Sequence, residues 1–206
     1  MFSLSFFVLV VKMGQYFDNE KLPSKMVKTE PFVLGKKFIF YTDNGVFSKD
    51  GLDFGSRLLL ESIPLEEVGG KVLDMGCGYG VFGIILNKVA SCTVDMVDVN
   101  LRALHLCEIN IKENHCNNIN VFESNVYERI NDKYDVIVTN PPIRAGKKVV
   151  YDIVMNAKDH LNNDGKLFVV IRKEQGAKSL IADLKKLYTV EVLNKKKGFF
   201  IIKCCL

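Results

Sequence analysis

The sequence of 206 residues lacks several features that mark specialised classes of protein. Its six cysteines form no Cys-x-x-Cys pair and no secreted-domain framework, which favours reduced thiols in a cytoplasmic protein. No internal repeat or low-complexity linker is present, so we expect residues 1–206 to form a single domain. The net charge of +4 suggests acidic partners only weakly. A hydrophobic fraction of 48% and a charged fraction of 25% exclude disordered and collagen-like chains.

A long apolar run that could cross a bilayer is also missing. Residues 2–11, FSLSFFVLVV, are fewer than the roughly 20 that a spanning helix needs. They also lack the positively charged start and the small-residue cleavage site of a signal peptide. Met13 opens a much more polar segment, so residues 1–12 are interpreted as an extension from an upstream start codon, with a short anchor as the alternative. We expect no membrane association.

Four residues have the types and the closeness in sequence of a metal-binding set, namely His105, Cys107, His115 and Cys116. His105 and Cys107 are two positions apart on a predicted helix, so their side chains face different directions. Structural cysteines and surface histidines explain the set better. We therefore expect no metal site.

Strands alternate with helices from residue 71 onward. Apolar runs predict strands at 71–75, 93–98, 119–123, 134–139, 166–171, 189–193 and 198–204. Helical periodicity predicts helices at 80–89, 100–114, 147–162 and 174–187. This order predicts a Rossmann-like, doubly wound α/β fold with a mostly parallel sheet of seven strands. A short Gly-containing turn between the last two strands predicts a C-terminal antiparallel hairpin.

Residues 13–64 precede this core and are expected to form a small extension. Residues 14–30 are polar and carry little structural signal. Residues 32–34 and 36–42, on either side of Gly35, predict a β-hairpin. A loop then leads into a helix in which Leu52, Ser56, Leu59 and Ile63 share one face. Residues 65–206 make up the predicted cofactor-binding core.

The most distinctive candidate site lies in residues 134–148, YDVIVTNPPIRAGKK. The β-branched run at 136–138 predicts a strand buried on both faces in the middle of a parallel sheet. Asn140-Pro141-Pro142 follows where that strand ends, and open α/β sheets bind ligands outside the carboxyl ends of their strands. The two prolines remove backbone donors and leave carbonyls that only accept hydrogen bonds. An Asn side-chain oxygen beside such a carbonyl suits an amino group.

A glycine-rich turn, GCGYG at residues 76–80, lies at the first strand-to-helix connection of the core. Glycines allow a tight turn and let a ligand approach the backbone N–H groups of the following helix. Dinucleotide binding is the default meaning of such a pattern. Here, however, Asp74 ends the preceding strand, where a carboxylate would repel a pyrophosphate and attract a cationic amino-acid group.

The second strand of the core ends at Asp98, at the spacing expected of a carboxylate that accepts hydrogen bonds from ribose hydroxyls. Asn100 is a candidate N-cap for the next helix. A positive amino-acid end, a ribose and no phosphate describe S-adenosylmethionine, which becomes S-adenosylhomocysteine after methyl transfer. A purely structural glycine turn with a surface Asp98 accounts less well for two acids at strand ends.

The glycine loop, Asp98 and Asn-Pro-Pro together resemble a class I S-adenosylmethionine-dependent methyltransferase. Three segments sharpen the resemblance: GVFSKDGLDFGSRLL (45–59), TNPPIRAGKK (139–148) and VVIRKEQGAKS (169–179) are similar to the ribosomal RNA small-subunit methyltransferase C group. The resemblance covers residues 14–206. Enzymes of that group methylate the exocyclic N2 of a guanine in 16S ribosomal RNA, and longer members carry an extra, inactive N-terminal copy of the domain.

The resemblance implies roles for individual residues. The target amine would be held by the catalytic motif, Asn140, Pro141 and Pro142. Asn125 would face the adenine of the cofactor. Relatives often have Asp at this position, but the amide oxygen of Asn can also accept a hydrogen bond from the adenine amino group. The residues assigned to S-adenosylmethionine are Asp74, Gly76, Cys77, Gly78, Gly80, Asp98, Val99, Asn125, Val126 and Asn140.

The same resemblance raises the question of which side chain stacks on the target base. The position after Asn-Pro-Pro is aromatic in many amino-methylating relatives, where its ring stacks on the base. Here it is Ile143, so Phe47 or Phe54 is expected to cover the base, with packing of both in the core as the alternative.

Cations next to the reactive loop predict an RNA partner, either ribosomal RNA or the small subunit. Arg144, Lys147 and Lys148 follow Asn-Pro-Pro directly and are expected to contact phosphates. Lys195–Lys197 lie on the predicted hairpin turn and are expected to be solubilising. We expect a monomer in the cytoplasm.

The same motifs are also compatible with other functions. The same chemistry could act on an adenine N6 of DNA or RNA, or on a protein glutamine amide, since Asn-Pro-Pro serves those acceptors too. A catalytically inactive RNA-binding or assembly protein is a second alternative, against which the intact Asp74, glycine loop and Asn140 argue. A nicotinamide-dependent oxidoreductase would leave Asn-Pro-Pro unexplained.

Overall fold

The computed structural model describes residues 22–206 and begins with four short strands. These are β1 (Val27–Thr29), β2 (Phe32–Val33), β3 (Lys36–Lys37) and β4 (Phe40–Thr42). β2 and β3 form the expected hairpin, whereas β4 pairs antiparallel with β1 instead of continuing β3. The sequence pattern does not predict β1, because this strand is mostly exposed and shows no alternation of apolar and polar residues. Residues 1–12 lie outside the described part of the chain.

Helix α1 (Phe54–Ser62) connects this extension to the core. It begins at the N-cap Asp53, whose Oδ1 accepts hydrogen bonds from the backbone N–H groups of Gly55 (2.9 Å) and Ser56 (3.1 Å). Three residues of the predicted inward face, Ser56, Leu59 and the C-cap Ile63, are buried. Leu52 precedes the N-cap and is only partly buried, so its placement in the helix is wrong.

The core alternates strands and helices as predicted. Its elements are β5 (Lys71–Met75), α2 (Val81–Ala90), β6 (Thr93–Asp98), α3 (Leu101–Glu113), β7 (Ile119–Glu123), β8 (Tyr134–Thr139), α4 (Lys147–Asn156), β9 (Leu161–Arg172), α5 (Ala177–Leu184), β10 (Thr189–Lys196) and β11 (Phe199–Cys205). The sheet order is β10-β11-β9-β8-β5-β6-β7, with β5 to β9 parallel and β11 antiparallel to both neighbours. The predicted α/β fold and its closing hairpin are therefore confirmed.

Two hydrophobic clusters cover the two faces of the sheet, because successive strand residues point to opposite sides. One cluster packs α1, α2 and α3 against residues such as Val72, Val136 and Val138. The other packs α4 and α5 against residues such as Leu73 and Ile137. No helix within residues 22–206 is long and apolar enough to cross a membrane. The same residues contain no group of three or more His, Cys, Asp or Glu side chains placed to hold a metal ion.

Two predicted helices are shorter in the structure. The helix expected at 147–162 ends at Asn156, continues as a 3₁₀ turn, and gives way to β9 at Leu161, which pairs with Tyr134. The helix expected at 174–187 is interrupted by Gly176, whose φ of 90° lies in the left-handed region.

The C-terminal hairpin is longer than predicted, which corrects the placement of the lysine cluster. β10 continues through Lys196, because Lys195 and Lys196 pair with Phe200 and Phe199. The turn itself is formed by residues 197 and 198, where Lys197 and Gly198 both have positive φ.

Asn110 of α3 and Asn114, the C-cap of that helix, hold the N-terminal extension against the core. Asn110 accepts a hydrogen bond from the backbone N–H of Tyr41 (2.7 Å) and donates to the carbonyls of Tyr41 (3.0 Å) and Tyr79 (2.8 Å). Asn114 pairs in the same way with both backbone groups of Ile39. This side-chain pairing interrupts the strand predicted at 36–42, since Ile39 bonds to a helix rather than to a strand.

Candidate active site

The strand register brings the two predicted loops together at the carboxyl edge of the sheet. Asp74 of β5 lies beside Val138 of β8, so the segments that follow both strands emerge next to each other. The Thr139 hydroxyl donates to the Met75 carbonyl (2.8 Å) and ties the two strand ends together. A Cβ placed on Gly76 would lie 3.9 Å from Pro142 Cδ, so the glycine loop and Asn-Pro-Pro are in contact.

The glycine loop is fixed by its own backbone. The N–H groups of Gly76 and Cys77 both donate to the Val97 carbonyl at 2.9 Å. Gly80 has φ of 93°, and a Cβ there would lie 3.0 Å from Ile84 Cδ1 and 3.2 Å from Cys107 Sγ. A Cβ on Gly78, in contrast, would meet nothing within 4 Å. The loop therefore packs tightly against Ile84 and Cys107 at Gly80, whereas the space beside Gly78 is open.

Asp74 lies at the base of this loop, near the end of β5. Its side chain is fully buried, and Oδ2 accepts the N–H of Gly83 at 2.8 Å. Oδ1 is buried and has no hydrogen-bond partner among residues 22–206. Burial, followed by the nearby charge of Asp98, raises the pKa of Asp74 to about 7. A buried carboxylate oxygen of this kind fits a cationic ligand group, such as the amino group of S-adenosylmethionine.

Asp98 is anchored one strand further along the edge. Its Oδ2 accepts the N–H of Gly78 and its Oδ1 accepts the N–H of Asn100, each at 2.9 Å. Burial raises the pKa of Asp98 despite these donors and the N–H of Val99. The carboxylate keeps free lone pairs for hydroxyl donors. Asn100 is the N-cap of α3, as predicted, accepting from Arg102 and Ala103.

Asn125 and Val126 follow β7 at the same edge. Asn125 is exposed and donates its amide nitrogen to Glu128 Oε1 (2.7 Å), which leaves its amide oxygen for another donor. Val126 has φ of 52°, a strained conformation for a β-branched residue. The Ser124 hydroxyl bonds to its carbonyl at 2.8 Å. Strain of this kind concentrates at functional sites.

Asn140 is oriented by a residue of α1. Its amide nitrogen donates to Ser56 Oγ at 3.1 Å. Ser56 is 5% exposed, and its backbone N–H is bound by Asp53. With the nitrogen committed to Ser56, the amide oxygen of Asn140 remains an acceptor. Pro141 is buried and Pro142 partly buried beside it. Sequence reasoning placed Ser56 on an inward helix face and missed this contact, although Ser56 lies within the segment 45–59.

The chain is similar in sequence to proteins of one known family. The family model for the methyltransferase small domain matches residues 37–203. The chain belongs to this family. It is 44% identical over 197 residues to the uncharacterised protein YbxB of Bacillus subtilis, covering 93% of this chain and 98% of YbxB.

Two further relatives of this methyltransferase small domain carry functional names. Ribosomal RNA small subunit methyltransferase C of Psychromonas ingrahamii is 34% identical over 192 residues, covering 90% of this chain and 54% of that protein. The T. thermophilus 16S rRNA N2 G1207 methyltransferase (RsmC), solved with AdoMet and guanosine, superposes with a TM-score of 0.79. It is 27% identical, with 89% of this chain and 51% of that one covered. The resemblance to the methyltransferase C group is thus confirmed, although the chain spans about half the length of these two relatives.

The residues after Asn-Pro-Pro border a cleft of this methyltransferase domain. Ile143 begins a 3₁₀ turn, is partly buried against the second hydrophobic cluster, and has no aromatic ring to stack on a base. A cleft of about 320 Å³ between α4 and α5 is lined by Ile143, Lys147, Tyr151, Gln175 and others. The predicted phosphate-binding residues Arg144, Lys147 and Lys148 are exposed, and Lys147 Nζ lies 4.8 Å from the Tyr151 ring centroid.

The two candidate base-covering rings differ in position. Phe47 is 62% exposed on the loop between β4 and α1, so core packing is wrong for this residue. Phe54 is partly buried against the first hydrophobic cluster and packs on Phe199, with ring centroids 5.6 Å apart. The Phe47 ring is therefore exposed at the surface, whereas Phe54 lies at the border of the core.

Proposed function

We propose that this chain is a cytoplasmic, S-adenosylmethionine-dependent N-methyltransferase that acts on the exocyclic N2 of a guanine in small-subunit ribosomal RNA. The observation that carries the proposal is the orientation of Asn140. Its amide nitrogen is occupied by Ser56, so the oxygen that remains can accept an N–H from an amine. A site of this kind beside a glycine loop suits the methylation of an amino group.

The residues present fit the cofactor. Asp74 Oδ1 would accept the cationic amino group, the open side of Gly78 would face the methionine portion, and Asp98 would accept the ribose hydroxyls. Asn125 and Val126, at the end of β7, would lie against the adenine. When bound, S-adenosylmethionine supplies an electrophilic methyl group on a sulfonium.

The chain's own contribution is to position the amine. The N2 lone pair of guanine is delocalised into the ring, which makes this nitrogen a poor nucleophile. Asn140 Oδ1 and the Pro141 carbonyl would each accept one N–H, hold the amine in line, and stabilise positive charge that develops on the nitrogen. The methylated ammonium loses a proton readily, so the site needs no strong base.

Guanine in ribosomal RNA is favoured over other amines for a specific reason. The T. thermophilus relative is named for methylation of G1207 at N2 in 16S rRNA and was solved with guanosine, and its fold superposes on 89% of this chain. In addition, the exposed cations Arg144, Lys147 and Lys148 lie directly beside the Asn-Pro-Pro loop and suit an RNA backbone.

The proposal is tested by methyl transfer from labelled S-adenosylmethionine to naked 16S RNA, small subunits, DNA and protein, followed by nucleoside analysis. N2-methylguanosine in RNA or subunits is the expected product. Label found exclusively in N6-methyladenine or in protein would refute the assigned acceptor. A lack of any thermal shift with S-adenosylmethionine would refute the cofactor.

A further inference from the structure

An aromatic–cationic surface lies beside the Asn-Pro-Pro loop, and we use this name for Phe54, Arg172, Lys197 and Phe199. The rings of Phe54 and Phe199 pack with centroids 5.6 Å apart. Arg172 Cζ lies 4.6 Å from the Phe199 centroid, and Lys197 Nζ lies 4.8 Å from the Phe54 centroid. Each ring therefore has one cation packed against it.

Three separate segments build this surface at the carboxyl edge of the sheet. Arg172 ends β9 and pairs with Phe199 at the start of β11. Gly55 lets the Phe199 ring reach α1, because a Cβ on Gly55 would lie 2.5 Å from the ring carbon Cε1. The next residue, Ser56, bonds to Asn140. The surface is therefore connected to the reactive loop through a single helix turn.

The charge of this surface is open to a partner. Arg172 and Lys197 are exposed, and neither takes part in an ion pair within the described chain. Residues 172–174 and 195–199 together hold one carboxylate, Glu174, and five cations, namely Arg172, Lys173, Lys195, Lys196 and Lys197. Unpaired cations clustered beside an active site suit a polyanion.

We propose that the aromatic–cationic surface binds the RNA strand that flanks the target guanine, with Arg172 and Lys197 on its phosphates. The rings hold both cations in place, so less side-chain freedom is lost on binding. The outer face of the Arg172 guanidinium also offers a plane on which an unpaired base can stack. This inference rests on the proposed function and names a second contact for its substrate, beyond Arg144 to Lys148.

The test compares the wild-type chain with R172Q/K197Q and with a control, K133Q/K185Q. Lys133 directly precedes β8 and Lys185 directly follows α5, so both lie toward the opposite edge of the sheet, and both are exposed. Each double variant lowers the net charge by the same two units. The Kd for naked 16S RNA is measured by fluorescence anisotropy over roughly 50–300 mM salt, where phosphate contacts give a salt-dependent affinity. A thermal shift with S-adenosylmethionine verifies that each variant is folded.

We expect R172Q/K197Q to raise the Kd about tenfold or more and to reduce the slope of log K against log salt by about 1.5, since each lost phosphate contact removes roughly 0.7–0.9. The control should match the wild type. Equal Kd and slope for both variants would overturn the proposal. So would weaker binding to assembled subunits with unchanged binding to naked RNA, because the surface would then contact protein. Failure of the proposed function would appear elsewhere, as RNA binding by the wild type without any N2-methylguanosine.

Discussion

The amide nitrogen of Asn140 donates a hydrogen bond to the hydroxyl of Ser56, 84 positions earlier in the chain, at 3.1 Å. In this arrangement the amide oxygen of Asn140 is left to accept a hydrogen bond from another group. A serine buried on the inward face of α1 thereby holds the Asn140 side chain in position. Ser56 is a positioning residue, because it acts through Asn140.

Ser56→Ala should lower kcat by about two- to twelvefold, the loss that corresponds to one neutral hydrogen bond of about 0.5–1.5 kcal/mol. The affinity for S-adenosylmethionine should stay unchanged, because Ser56 lies on the acceptor side of the site. Ser62→Ala is the matched control, since Ser62 ends the same helix and accepts a hydrogen bond from Asn194 (3.0 Å). Steady-state methyl transfer and cofactor titration measure both values. An equal loss of kcat in both variants would indicate a helix defect rather than a role for the Asn140 contact.

Cofactor affinity should depend on the ionisation of Asp74. Its pKa of about 7 lies above the ordinary 3.8, so the unliganded site holds a proton at pH 6, and the ionised form is the one that attracts a cation. We expect affinity for S-adenosylmethionine to rise between about pH 5.5 and 7.5, and about one proton to be released on binding near pH 6. Calorimetry in two buffers of different ionisation enthalpy measures that proton. Asp74→Asn should abolish its release, and an affinity independent of pH over this range would contradict the assignment.

The same raised pKa has an effect on stability whose sign follows from linkage. Because folding raises the pKa of Asp74, its neutral form is favoured in the folded chain without ligand. The contribution of Asp74 to the free energy of unfolding is therefore fully present below pH 3.8 and is lost as pH rises through about 7. Bound S-adenosylmethionine should restore stability mainly at the upper end of this range.

The N-terminal extension should depend on Asn110 for its attachment. Asn110→Ala would leave the backbone N–H and carbonyl of Tyr41 and the carbonyl of Tyr79 without their partner. Unsatisfied buried groups cost about 1–3 kcal/mol, so we expect the free energy of unfolding to fall by that amount in denaturant titration. Asn117→Ala, at an exposed position just after α3, should change it by less than about 0.5 kcal/mol. Similar values for the two variants would show that the paired amide does not hold the extension.

The positions of Asp74, Asp98 and Asn140 could be anticipated from sequence because parallel strands end at a common edge, so a residue at the end of each strand is brought to one site. Ser56 could not be, because its contact depends on how α1 packs across the sheet. The pairing of Asn110 and Asn114 with a broken strand has no signature in hydrophobic periodicity. The sequence places Lys197 correctly on the hairpin turn but not Lys195 and Lys196, because the length of β10 is set by their pairing with Phe200 and Phe199.

The central claim concerns the acceptor oxygen of Asn140, and the comparison of wild type with Asn140→Ala tests it most directly. Each is incubated with labelled S-adenosylmethionine and 16S RNA, naked or in small subunits, and the labelled nucleosides are identified. The wild type should yield N2-methylguanosine, and Asn140→Ala should lose about a hundredfold or more in turnover while still showing a thermal shift with the cofactor. Unchanged turnover in Asn140→Ala would contradict the account.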